Sequence, residues 1–451
     1  MSNSVIKEKL FQIRCQLAKP SWWRQFKIAM ENEKKSPDEL AEFNFNLRRE
    51  TLRFAYEKSP YYHNLYKKAG LLPDDIKSET DWDNVPILTR EALRVHFEQI
   101  KISDVPSGRY TIYMTGGSTG EPSKVMKDNY FSSKGMGWRA RYWSGVKCGQ
   151  NMATIMRFHP HSFRKHMRHL LAWYPSQNIL LDAGNMNEDT IKHFIHEWRK
   201  TKPVSALAYV GGVHELALYC LRNQIDLPPP LAITTVAAPL GAVQRNDIEK
   251  AFNAPVYDSY VATEVSPIAT QCSELVRETS RALHIHSDFR HVEFLDDDGH
   301  AVPIEEEGQI AVTDCGDRVF PIIRYTLGDR GRALAKKCSC GRPFPLMDAV
   351  KGRSSDFIYL RHGKLAGECW SVAFNHCFNA VHNFRIHQYA DYRVTLFVVP
   401  NRNCAGWEQS IKGVVADLQK KMGDIPLTLK MVEELKHDRG KIKYIISDIR
   451  K

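Results

Sequence analysis

Between residues 151 and 260 short apolar runs alternate with helical patterns, and this alternation constrains the fold more than any other feature of the chain. The runs Asn151–Met156, Ala206–Val210, Ala232–Ala237 and Pro255–Tyr260 have strand length, whereas Lys192–Lys200, His214–Asn223 and Gln244–Phe252 repeat apolar residues at helical spacing. Such alternation predicts β/α units around a largely parallel sheet, since a parallel neighbour is reached only by a crossover. From about Leu283 to Ala335 the pattern turns to β. His291–Leu295, the turn Asp296-Asp-Asp-Gly299 and Gly308–Thr313 follow one another there. After about Ser354 a mixed βα pattern returns, with a strand at Val394–Val399 and a helix near Trp407–Lys421.

Residues 1 to about 70 read as helical and basic. Val5, Leu10, Phe11, Ile13 and Leu17 recur at helical spacing among Lys7, Lys9, Arg14 and Lys19. Packing of this amphipathic helix on its own domain is the favoured reading, and peripheral contact with a membrane surface is the alternative. Thr89 caps a helix expected to run to about Ile100 and to lead into a strand at Tyr110–Tyr113. Directly after that strand stand Thr115, Gly116, Gly117, Ser118, Thr119 and Gly120, whose amides and hydroxyls can wrap an anion. That is a phosphate loop by chemistry, although the Gly-Lys-Ser/Thr ending of the Walker pattern is absent. A flexible turn between strands is the competing account.

Composition narrows the partners. At 451 residues, 43% of them hydrophobic and 10% aromatic, the chain can bury its core without staples. It has no run of about 18 apolar residues and no apolar leader, so a cytoplasmic protein is expected. The ten cysteines are mostly scattered and read as free buried thiols, with Cys338-Ser339-Cys340 standing apart. The formal charge of +11 suits nucleic acid, a membrane surface or an anionic substrate. No Lys/Arg run reaches five residues and no nucleic-acid motif occurs, so nucleic acid is set aside in favour of a nucleotide or another polyanionic small substrate. Monomer and homodimer are both left open.

Taken with four later stretches, the glycine loop resembles the adenylate-forming (acyl/aryl-CoA ligase) superfamily, in its phenylacetate-CoA ligase-like and CapK-like branch. The resemblance runs from about residue 84 to 443. It implies that residues 115–120 hold the β- and γ-phosphates of ATP. In Asp258-Ser259-Tyr260-Val261-Ala262-Thr263-Glu264, the family pattern gives Tyr260 the adenine face, Thr263 a phosphate contact and Glu264 a magnesium ion, with Ala238 and Pro239 in the adenine segment. Arg324–Asp329 is similar to the element whose aspartate, here Asp329, accepts the ribose hydroxyls. Gly352-Arg353-Ser354-Ser355-Asp356 resembles the nucleotide-contacting arginine and the hinge at Ser355 and Asp356, and Arg439–Lys443 the loop of the catalytic lysine, Lys441. Tyr209, Gly211, Gly212 and His214 fall where the acid pocket is expected, although an ordinary helix-entry turn is the favoured account of the two glycines and a structural role that of a lone histidine. Cys272, His284, Cys338 and Cys340 match a structural zinc site of relatives, with His286 as the competing imidazole.

The implied fold is α/β. A large N-terminal domain (1–353) of parallel and mixed sheets with helices includes a helical extension (1–70) and a β-rich zinc-bearing subdomain (about 272–345). A small mobile α+β domain (354–451) carries the catalytic lysine. The implied reaction converts a carboxylic acid, aryl or aryl-alkyl, and ATP to acyl-AMP and pyrophosphate, then passes the acyl group to CoA. An amine or a carrier-protein thiol is the alternative acceptor, and a non-catalytic nucleotide-binding homologue the alternative class. Val261 replaces the usual glycine of its motif, and the stretch Leu360–Glu368 departs from that of the CoA ligases.

Overall fold

A computed structural model describes residues 3–114, 124–131, 134–156, 163–350, 357–361, 363–366, 380–435 and 445–449. The chain divides into two compact units, residues 1–149 with 257–350 and residues 150–256 with 351–451.

The first unit opens with four helices, α1 (Asn3–Ala18), α2 (Pro20–Asn32), α3 (Pro37–Lys58) and α4 (Pro60–Ala69). Ser36 starts α3 with a reciprocal cap, its hydroxyl accepting from the Glu39 amide while Glu39 accepts from the Ser36 amide. Gly70 ends α4 in the left-handed region that a side chain would disfavour. The amphipathic α1 packs on its own unit: Phe11 and Cys15 are buried with Phe26, Trp138 and Cys148. Its other large apolar side chains, Val5, Ile6, Leu10, Ile13 and Leu17, remain exposed. The helix capped by Thr89 is shorter than expected. It covers Arg90–Val95, breaks at His96 and resumes at Phe97–Ile100, where Tyr61 packs on His96 and Phe320 on Phe97.

Strands β1 (Tyr110–Met114) and β2 (Lys124–Asp128) pair antiparallel with Met114 opposite Lys124, so the glycine-rich segment, itself outside the described residues, joins the arms of a hairpin. Two buried side chains of β2, Val125 and Met126, join the largest apolar cluster of the unit.

In the second unit β3 (Met152–Met156), β4 (Asn178–Asp182), β5 (Ser205–Tyr209) and β6 (Ala232–Val236) form a parallel array in the order β6-β5-β3-β4. Helices at Glu188–Thr201, Val210–Arg222 and Ala242–Phe252 follow β4, β5 and β6 and bury Trp198, Leu216 and Phe252 in a common core. β3, β5 and β6 with the three helices answer to the alternation, whereas β4 is not among the expected runs.

Returning to the first unit, β7 (Val256–Tyr260), β8 (Ala269–Thr270), β9 (Leu283–Ile285), β13 (Ala333–Leu334) and β14 (Leu346–Met347) run antiparallel in the order β13-β14-β9-β8-β7. Between them β10 (Arg290–Leu295), β11 (Gly308–Asp314) and β12 (Tyr325–Gly331) form a separate antiparallel sheet. This is the β-rich stretch that the sequence pattern implies. Beyond residue 356 the second unit has the hairpin β15 (Phe357–Leu360) and β16 (Gly363–Ala366), then a four-stranded sheet of β17 (Val381–Gln388), β18 (Val394–Pro400), β19 (Leu427–Met431) and β20 (Ile445–Ser447), with a helix at Trp407–Met422. Among the described residues, no helix is long and apolar enough to cross a membrane.

Candidate functional site

Two groupings of chemistry-bearing side chains lie in the first unit. One is anchored on β7 and β12. Tyr260, at the end of β7, donates its hydroxyl to Asp329 Oδ2 on β12 at 2.7 Å. Four residues beyond Tyr260, Glu264 is 7% exposed and accepts at Oε1 from the Tyr325 hydroxyl at 3.0 Å. Tyr325 and Asp329 belong to one strand, so a single element touches both ends of the Tyr260–Glu264 segment. Lys127, on β2, donates to the main-chain oxygen of Glu264.

The start of that strand is firmly held. Arg324 has φ 46°, which is unfavourable for a side chain of its size, by about 1–2 kcal/mol. Its guanidinium pairs with Glu293 at 3.0 Å and donates to the carbonyls of Asp83, Val85 and Gly299. Burial raises the Glu293 carboxyl above its ordinary range, and Arg324 opposes that rise.

The other residues of the Asp258–Glu264 motif have different surroundings. Ser259 is buried, its hydroxyl 2.9 Å from that of Thr270, which ties β7 to β8. The Asp258 amide donates to Gln271 Oε1 at 2.8 Å. Thr263 is exposed beside Glu264. Thr115–Gly120, Arg353, Ser355, Asp356 and Lys441 lie outside the described residues.

Within the second unit, Ala238 and Pro239 follow β6, Pro239 exposed, and Tyr209 ends β5 half-buried. Gly211 and Gly212 occupy the first turn of the helix Val210–Arg222. A Cβ on Gly212 would stand 3.0 Å from that of Ala183 and 3.1 Å from Ile155 Cγ2, so close packing of the helix asks for glycine. His214 is buried and bonds through Nε2 to Asp247 Oδ2 at 2.9 Å.

The second grouping in the first unit is Cys272, His284, Cys338 and Cys340, whose ligand atoms all lie within 4.8 Å of one another. Cys272 precedes the short helix Ser273–Arg277, His284 is the central residue of β9, and the other two cysteines lie between β13 and β14. The Sγ atoms of Cys272 and Cys338 are 3.7 Å apart, and His284 Nε2 is 3.4 Å from Cys340 Sγ. The other ring nitrogen, Nδ1, is 3.3 Å from the Phe344 carbonyl oxygen, which holds the proton there and turns Nε2 to the thiols. Burial by itself would depress His284, but Cys272 and Cys340 outweigh it and bring the imidazole up to about 9. Burial likewise acts to raise Cys340, whereas its contact with His284 brings the thiol down to about 6. Three sulfurs and one imidazole this close are the donor set of a closed tetrahedral zinc site.

His286, two residues on, has both nitrogens engaged elsewhere. Arg139 lies 2.6 Å from Nδ1 and Thr270 Oγ1 3.1 Å from Nε2, and the ring stacks on Trp143. Burial, then the Arg139 and Arg290 charges, hold it well below the ordinary histidine range. Tyr325 and Lys127 were not singled out from the sequence. Tyr325 stands inside a motif that drew attention only to its aspartate, and Lys127 became significant only once the hairpin placed it on Glu264.

No family model matches the chain. It is 25% identical over 288 residues to protein CapK of Staphylococcus aureus, a match covering 62% of this chain and 60% of CapK. It is 23% identical over 337 residues to a phenylacetate-coenzyme A ligase of Aromatoleum evansii, covering 73% of this chain and 74% of the ligase. Among solved structures, 2-hydroxyisobutyryl-CoA ligase in its postadenylation state superposes with a TM-score of 0.75 at 17% identity, over 92% of this chain and 91% of that one. An amide bond synthetase, McbA of Marinactinospora thermotolerans, gives a TM-score of 0.53 at 14% identity, over 74% and 68% of the two chains.

Proposed function

We propose, from the premise that this chain belongs with the adenylate-forming ligases of the phenylacetate-CoA ligase and CapK branch, that it activates a carboxylic acid with ATP and passes the acyl group to a thiol. The observation that carries this reading is the Tyr260–Asp329 hydrogen bond at 2.7 Å. It fixes an aromatic face and a carboxylate side by side, the first suited to adenine and the second to vicinal ribose hydroxyls.

In the first half-reaction a carboxylate oxygen of the acid bonds to the α-phosphorus, the bond from that phosphorus to the bridging oxygen breaks, and pyrophosphate leaves. Two anions are brought together, so cations are needed at the reacting oxygens. Glu264, a buried carboxylate oriented by the Tyr325 hydroxyl, fits a hard divalent ion and would hold magnesium on the triphosphate. When bound, that ion neutralises the leaving pyrophosphate. Thr115–Gly120 would cradle the phosphates, Ala238 and Pro239 would border adenine, and Arg353 would contact the nucleotide. Lys441 would meet the developing charge, carried by a domain of residues 354–451 that turns about Ser355 and Asp356 relative to residues 1–353. Tyr209, Gly211, Gly212 and His214 would border the acid, with His214 held by Asp247 rather than aimed by itself. In the second half-reaction the acceptor attacks the acyl carbon and AMP leaves. CoA is the first acceptor to test, and an amine or a carrier-protein thiol the next. The Cys272, His284, Cys338 and Cys340 set fits zinc as a structural ion.

Acid-dependent ATP–pyrophosphate exchange over a panel of aryl and alkyl acids tests the reading. Exchange with at least one acid is expected, falling about 100-fold or more in Lys441→Ala. ATP binding without exchange for any acid would sink the ligase reading and leave the non-catalytic homologue. Separately, the exposed stripe Ile6, Leu10, Ile13 and Leu17, flanked by Lys7 and Lys9, suits an anionic lipid surface. Cosedimentation with anionic vesicles, lost in Leu10→Glu with Leu17→Glu, is the expected result. No cosedimentation of the unaltered chain rules this contact out.

A further inference from the structure

Three carbonyls of the segment Thr263–Pro267, those of Glu264, Ser266 and Pro267, accept from cations on two different strands. Lys127, on the hairpin strand that leaves the glycine-rich segment, donates to the Glu264 carbonyl. Arg290, on β10, donates through Nη2 to the Ser266 carbonyl at 3.0 Å and through Nε to that of Pro267 at 3.2 Å. The turn is closed internally by the Ala262 amide, which donates to the Val265 carbonyl at 3.0 Å.

Both cations have buried countercharges. Arg290 Nη1 pairs with Asp314 Oδ1 at 2.6 Å. Asp317 accepts the Asp128 amide of β2 at 3.2 Å and the amides of Val319 and Phe320 at 2.8 and 2.9 Å. Burial lowers the Lys127 ammonium below the ordinary lysine range, while Asp314, Asp317 and Glu264 act to restore it. A two-stranded hairpin such as β1–β2 is marginal by itself and takes its position from what it is tied to. Thr111, Ile112 and Tyr113 of β1 are exposed, so beyond Tyr110 the anchoring falls to β2. There Val125 and Met126 enter the apolar core, on which Tyr110 of β1 also packs half-buried, and Lys127 reaches the turn that bears the carboxylate assigned to magnesium.

We propose that Lys127 is a positioning residue for nucleotide binding, locking strand β2 to the Thr263–Glu264 turn so that the metal-holding carboxylate keeps its place. The proposal rests on the adenylation reading above. It goes beyond that reading by assigning a role to a residue outside every motif that suggested it.

The test separates position from charge balance. Lys127→Met alone leaves Asp314 and Asp317 short of a countercharge and loses stability on that account. Lys127→Met combined with Asp317→Asn restores the balance but not the bond to the Glu264 carbonyl. In exchange assays the double variant is expected to melt like Asp317→Asn alone, which already gives up one acceptor for a main-chain amide, and to raise the KM for ATP and magnesium about tenfold over that single variant, the scale of one charge-assisted hydrogen bond. The KM for the acid should stay within about twofold, since the acid contacts none of these groups in the adenylation reading. Lys127→Arg, which keeps a cation and a donor, should recover most of the ATP effect. A double variant with the same KM for ATP as Asp317→Asn overturns the proposal, as does an equal loss for ATP and acid or a failure of arginine to rescue. Calorimetric titration with ATP and magnesium reads the same contrast. If the unaltered protein shows no exchange, the adenylation reading fails while the role of Lys127 is still decided by binding.

Discussion

The Cys272–His284–Cys338–Cys340 cluster and the Tyr260–Asp329–Glu264 grouping share one unit, yet they are built on opposite plans. In the first, four ligand atoms converge on one another and the fifth partner, the Phe344 carbonyl, only orients a ring. In the reading proposed above such a cluster leaves no ligand position for a substrate and would tie β9 to the segment between β13 and β14. In the second, the side chains are fixed in pairs, Tyr260 with Asp329 and Tyr325 with Glu264, and the pairs themselves are spaced along a strand. Convergence on each other marks a structural knot, and separate fixation of each group marks a place where something else is to be held.

The largest expected effect comes from opening the knot. Cys340→Ser should reduce bound zinc from about one equivalent to little or none, with a loss of several kcal/mol in unfolding free energy. Metal analysis and chemical denaturation check this, and a metal-free unaltered protein of the same stability would erase the contrast. Next, Asp329→Ala should lower ATP–pyrophosphate exchange about 100-fold. Its melting temperature should be little changed, because the carboxylate is half-buried and not part of the core. Equal losses of stability in the two variants would show that the open grouping is structural too.

The smallest expected effect is a slope. Burial, aided by Asp314, raises the Asp317 carboxyl to about 6. The native state then holds this proton more tightly than the unfolded chain. The stabilisation it gives is present below the ordinary carboxyl range and is lost as pH rises through about 6. Asp317→Asn should flatten that part of the stability profile between about pH 4 and pH 6, as read by denaturant unfolding at each pH. An unchanged slope would take Asp317 out of the charge cluster behind Glu264.

Much of this was legible from residue patterns because the β/α segment follows local rules. Strands β3, β5 and β6 are apolar runs bounded by polar turns, and a buried parallel array needs just that. The helix Lys134–Trp143 was not foreseen, since two glycines, Gly135 and Gly137, dilute its signal. Its reason emerges in three dimensions: a Cβ on Gly135 would come within 2.7 Å of the Phe26 amide nitrogen, so α2 lies directly against it. The choice between His284 and His286 depended on pairing. Leu346 of β14 stands opposite His284, which brings the Cys338–Cys340 segment to that imidazole. His286 instead meets Arg139, 147 positions away in the chain. The break at His96 was hidden for the same reason, because its ring and that of Phe97 pack on Tyr61 and Phe320.

One contact at the other edge of the unit bears on how the protein can be handled. A Cβ on Gly149 would approach Phe11 Cβ to 2.9 Å and Glu8 Cα to 3.0 Å, so α1 is seated directly against the turn that ends the first segment of the unit. Helix α1 (Asn3–Ala18) is therefore a lid on an aromatic socket, and trimming it would bare Phe26, Trp138 and Cys148 together. A shortened chain would carry a sticky patch of its own making, and any change in its solubility or self-association would report that wound rather than the loss of a tail.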